Sequence, residues 1–75
     1  MCLAIPMKIK TMNGFNAVCE AKGVERNVSL FMLQDEKLQP GDFVLVHVGY
    51  AIQTVAADEA RYTWELLDEV LAQDA

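Results

Sequence analysis

Asn13-Gly14 is flanked on both sides by alternating apolar and polar residues. This feature constrains the fold more than any other. Asn-Gly between two such runs is the strongest short-range signal for a β-hairpin, because tight turns that match strand twist need positive φ. Before it, Leu3, Ile5, Met7 and Ile9 share one face of a strand over residues 3–11. Cys2, Ala4, Pro6, Lys8 and Lys10 share the other. Pro6 cannot donate a ladder hydrogen bond, so this strand is predicted at an edge or at a strand start. After the turn, in a strand over residues 15–21, Phe15, Ala17, Cys19 and Ala21 alternate with Asn16, Val18 and Glu20. Lys22-Gly23 turns the chain into a third run, residues 24–30, with Val24, Val28 and Leu30 inward. Arg26 falls on the same apolar face, a local conflict.

The remaining chain keeps this grammar. Residues 31–42 connect, with a short helical turn at Leu30–Leu33 and a Pro40-Gly41-Asp42 turn cluster. A fourth strand over residues 43–48 is apolar on both faces, as a strand covered on both sides is. His47 is its one polar side chain. Gly49 permits a bulge or bend, and Tyr50–Val55 form a fifth strand. A closing helix is predicted over 58–73, with Asp58 as N-cap and an apolar stripe of Ala60, Trp64, Leu67 and Leu71. Glu65 and Glu69 repel at i,i+4, so this helix depends on packing its Trp64 stripe against the sheet. Five strands and one helix in 75 residues predict a mainly β single domain, residues 1–75. Its plan is a small closed or partly closed barrel over 1–55 followed by the helix.

Charge narrows the function classes. Residues 1–57 carry five bases (Lys8, Lys10, Lys22, Arg26, Lys37) and five acids (Glu20, Glu25, Asp35, Glu36, Asp42). The net charge of −5 therefore lies wholly in residues 58–75, where six acids meet only Arg61. Such a chain lacks the basic footprint of general nucleic-acid binding; protein partners fit it better. No apolar run approaches the roughly 18 residues that span a bilayer. The start lacks the basic n-region of a secretory signal, and Lys8 and Lys10 interrupt any apolar core there. The expectation is a soluble cytoplasmic protein with no membrane association.

Four side chains are candidates for chemistry. Cys2 follows an initiator methionine that a small second residue allows to be removed. A terminal amine and the lysine face would then favour the thiolate, the form that attacks electrophiles and binds metals. The plain alternative is a small second residue kept only for processing. Cys19 reads as a buried core thiol, and the predicted faces set it opposite Cys2. His47 reads either as a hydrogen-bonded core residue or, at a strand end before Gly49, as a site residue. One Cys and one His make an incomplete soft site for iron or zinc, or a nucleophile–base pair. Nothing supplies a third triad member. For Arg26, a stem packed along the sheet with its head in water competes with a role in binding a partner carboxylate.

Met1-Cys2-Leu3-Ala4-Ile5-Pro6 resembles the N-terminal signature of the HypC/HupF family, small chaperones of nickel–iron hydrogenase maturation. Gly23-Val24-Glu25-Arg26-Asn27-Val28 resembles a second family segment. Gly41 to Ala51, with His47 and Gly49 in place, resembles its central motif. Two departures are visible: Met7 stands where the family usually has glycine, and Tyr50 where it has phenylalanine. The resemblance implies an OB-like five-stranded β-barrel with a C-terminal helix. It implies a scaffold and carrier, not an enzyme. Such a carrier binds a HypD-type maturation protein and the hydrogenase large-subunit precursor, and helps deliver iron carrying cyanide and carbonyl ligands. The implied iron contacts are Cys2 and His47, shared with a partner. The implied partner-binding residues are Cys2, Leu3, Ala4, Ile5, Pro6 and His47. The competing readings are an OB-type nucleic-acid module, which would need exposed aromatics interleaved with bases on strands two and three, and a thiol enzyme using Cys2.

Overall fold

The computed structural model describes residues 4–74, with side chains to residue 68. Five strands close into a barrel: β1 (Ile5–Asn13), β2 (Asn16–Ala21), β3 (Val24–Ser29), β4 (Phe43–His47) and β5 (Tyr50–Val55). Their order around the barrel is β1-β2-β3-β5-β4, which realises the expected OB-like plan. A 3₁₀ turn, Phe31–Leu33, follows β3, and helix α1 (Ala57–Asp74) closes the chain.

The turn dipeptides set this topology. β1 and β2 pair down to Asn13↔Asn16, so the turn residues are Gly14 and Phe15, one step later than Asn13-Gly14 suggests. Only Gly14 has positive φ, at 63°, the pattern of a II′ turn with glycine first. Lys22 and Gly23 both have positive φ, 54° and 83°, as type I′ turns require. Val48 and Gly49 repeat that pattern at 51° and 82°, so the sharp bend at Gly49 is a two-residue hairpin turn.

Inward residues of all five strands, with Leu30 after β3, form the core, and Ile9, Cys19 and Val44 are fully shielded from solvent. Three features depart from the sequence pattern. The β1–β2 register shifts between Ile9 and Thr11. Lys10 is the extra residue, and the phase flips so that Met12, not Thr11, turns inward. A second shift between Leu45 and Val46 leaves Ile52 unpaired on β5. Finally, α1 begins at Ala57, so Asp58 lies inside the first turn instead of capping it. Its Oδ1 accepts from the Glu59 N–H at 3.0 Å, and with Glu59 it places negative charge at the helix's positive end. Of the predicted stripe, Ala60 is buried and Trp64 and Leu67 are half-buried; the side chain of Leu71 lies outside the described residues.

Candidate functional site

The start of β1 is clamped between two elements. Pro6 pairs with Leu45 of β4, but pairing with β2 begins only at Lys8. A proline with no N–H sits without loss where one flank has no ladder partner. Its carbonyl accepts a hydrogen bond from the Trp64 indole Nε1–H at 2.8 Å. The Trp64 ring in turn lies 5.6 Å, centroid to centroid, from Phe43 of β4. Pro6 is buried by this cover, although it shares a face with Lys8. The outward face of β1 is therefore a packing face at Pro6 and a solvent face only from Lys8 onward. Ile5 does face inward as predicted, but at the barrel mouth it stays 39% exposed.

The same register brings His47 to this end. Ile5, the first residue of β1, lies opposite Val46, the residue next to His47. His47 ends β4 on the outward side, opposite the exposed Tyr50. It is half-buried, on the face of β4 that points away from the barrel interior. Barrel closure thus gathers Ala4, Ile5, Pro6 and His47 at one mouth. Cys2 and Leu3 lie outside the described residues, as does the predicted facing of Cys2.

Cys19 is the contrasting thiol. It is fully shielded, and burial pushes its pKa up, the opposite of what a nucleophile or metal ligand needs. Among the described residues, no three His, Cys, Asp or Glu side chains gather as a metal site. What His47 offers is one imidazole at the end of β4, near the start of β1. That can contribute to a site but not close one.

The sequence did not reveal a groove beside this mouth. It measures about 220 Å³ and is lined by Ile5, Met7, Val46, Val48 and Gly49, with Arg26 and Asn27 from β3. The conflict at Arg26 resolves here. The first four residues of β3 are exposed on both faces, so Arg26 stands at the barrel's open margin, and its guanidinium donates to the Glu25 carbonyl at 3.0 Å. Of the other bases near β3, Lys10 and Lys22 are paired with carboxylates, whereas the exposed Lys8 has no carboxylate partner among the described residues. Lys10 Nζ lies 2.6 Å from Glu25 and 3.9 Å from Glu20, and the Glu25 hydrogen bond holds its ammonium pKa above the ordinary value. Lys22 pairs with Asp68 of α1. This surface leaves little free positive charge for a phosphate backbone. Among the described residues, no helix is long and apolar enough to cross a membrane.

Comparison with known proteins places the chain in one family. The family model described as the HupF/HypC family matches residues 1–67. The chain is 40% identical over 76 residues to a hydrogenase maturation factor HypC from Rhizobium leguminosarum bv. viciae, covering 100% of this chain and 99% of that one. It is 39% identical over 72 residues to the factor of that name from Helicobacter hepaticus, covering 95% and 83%. With the factor from Escherichia coli K12 it shares 38% identity over 74 residues, covering 93% and 82%. A family match across nearly the whole chain, with relatives aligned almost end to end, means that the chain belongs to the HupF/HypC family.

Proposed function

We propose that this chain is a hydrogenase maturation chaperone, not an enzyme, and that it carries an iron unit as cargo between two protein partners in the cytoplasm. The first partner is a HypD-type maturation protein, on which iron acquires cyanide and carbonyl ligands. The second is the precursor of a nickel–iron hydrogenase large subunit. The Cys2 thiolate and the His47 imidazole are the iron contacts, completed by ligands from the partner, and Leu3, Ala4, Ile5 and Pro6 make the protein contact.

One observation carries this reading. The Trp64–Pro6 hydrogen bond and the Ile5↔Val46 pairing hold the start of β1 against the end of β4, whose last residue is the outward-facing, half-buried His47. A thiolate and an imidazole suit a borderline metal such as iron. Two ligands from this chain leave coordination positions for the diatomics and the donor, and an open site releases its metal more readily than a closed one.

The test is anaerobic affinity purification of the wild-type chain and of Cys2→Ala from the native host, with infrared spectroscopy of the eluates. The wild type brings down the HypD-type protein and shows cyanide and carbonyl bands. Cys2→Ala loses the bands and most of both partners at an unchanged melting temperature. Full iron occupancy and partner recovery in Cys2→Ala would refute the assignment.

A further inference from the structure

The barrel is closed, but not evenly. β3 pairs with β2 through six residue pairs, yet meets β5 only at Ser29↔Tyr50. On that side Val24–Asn27 is an unpaired strand edge, and it borders the groove floored by Ile5, Met7, Val46 and Val48. Open edges invite strand addition and are normally blunted. Two residues at this margin are poor choices for the fold alone. Val48 occupies φ 51°, where a β-branched side chain is a true outlier, and that side chain is 67% exposed. The matching turn position at Lys22 carries an unbranched residue. Arg26 is the second. Among the described residues its guanidinium has no carboxylate partner, as is also true of Lys8, Lys37 and Arg61, but Arg26 alone of these lines the groove.

From these features we infer that the groove is a docking site for an extended segment of the HypD-type partner. The segment adds a strand to the open edge of β3, sets an apolar side chain on Ile5, Val46 and Val48, and presents a carboxylate to Arg26. Main-chain pairing gives such a mode its affinity, and side-chain pockets on alternate residues give its specificity. The planar guanidinium grips a carboxylate in two places, which lysine cannot do. The choice of partner rests on the proposed function; the groove does not. The competing role for Arg26 is a charge that merely guards the edge against self-association.

Two measurements separate these outcomes. In the first, the 15N-labelled chain is titrated with the capped pentapeptide Val-Asp-Val-Glu-Val and with its Val-Lys-Val-Lys-Val counterpart. The acidic peptide shifts the amides of Val24–Asn27 and Val48–Gly49 at millimolar concentration and the basic one does not; absence of those shifts overturns the groove. In the second, affinity for the purified HypD-type protein is measured for the wild type, Arg26→Glu and Arg26→Lys. Arg26→Glu weakens binding at least tenfold, and Arg26→Lys several-fold, both at unchanged melting temperature. Wild-type affinity in both variants overturns the assignment of the partner segment. If that affinity is unchanged and an Arg26→Ala variant, which removes the charge, self-associates, the edge-guard role replaces it. If the acidic peptide binds but the wild-type chain has no affinity for the HypD-type protein, the groove stands while the choice of partner falls with the proposed function.

Discussion

Two residues show how single side chains divide the work. Cys19 is shielded from solvent and its thiol is held protonated by burial. Its folded pKa lies above its unfolded value, so the folded chain retains a proton that the unfolded chain releases. The stability linked to Cys19 is fully present below about pH 8.5 and falls as pH rises through the folded pKa. Urea denaturation between pH 7 and 10 should show this decline, and Cys19→Ala should flatten it while lowering stability at every pH. Iodoacetamide at neutral pH should leave Cys19 unmodified in the native chain and label it after denaturation; rapid native labelling, mapped by mass spectrometry, would refute its burial. Val48 carries the opposite expectation. Asparagine tolerates positive φ far better than valine, and relief of such strain is worth about 1–3 kcal/mol. Val48→Asn should therefore raise the melting temperature, by about 4–8 °C for each kcal/mol in a domain of this size. A lower melting temperature would show that the valine stabilises the fold by contacts that outweigh the strain.

Among the elements, β1 and α1 depend on each other. The Trp64 indole satisfies the Pro6 carbonyl, and its ring covers Pro6 and Phe43. Trp64→Phe keeps much of the apolar cover but leaves that carbonyl without its donor, at a cost of about 1–3 kcal/mol. The expected result is a lower melting temperature together with faster hydrogen exchange at the start of β1. A change confined to the end of α1 would argue against the clamp. The strands and their turns were readable because Gly14, Lys22-Gly23 and Gly49 sit between alternating runs, and those signals are local. The two bulges were not, because a bulge is defined by the register of a partner strand: nothing near Lys10 or Ile52 marks either as unpaired. The burial of Pro6 was hidden for the same reason, since its cover, Trp64, lies 58 residues away in sequence. Asp58 was misread as a cap because acids suit both the cap and the first turn, and only backbone geometry separates the two.

At the scale of the whole molecule, the core and the proposed iron contact occupy different surfaces. The core fills the barrel interior, the acidic charge is gathered on α1, and His47 faces outward at the mouth where β1 begins. The histidine, named as a candidate from one strand, meets the N-terminal run only because β1 and β4 close the barrel as neighbours. That closure joins positions about forty residues apart and has no local signature. A half-buried side chain outside the core should be dispensable for folding. His47→Ala is therefore expected to shift the melting temperature by less than that of Trp64→Phe, and to leave affinity for the HypD-type protein within a few-fold of wild type. Iron retained by the purified chain after anaerobic gel filtration should fall severalfold, because one soft ligand remains where two are proposed. His47→Cys restores a soft donor at the same position and should recover part of that iron, which a merely structural histidine would not do. If His47→Ala melts far below wild type and keeps its iron, the imidazole belongs to the fold, and the iron site must be built from Cys2 and partner residues alone.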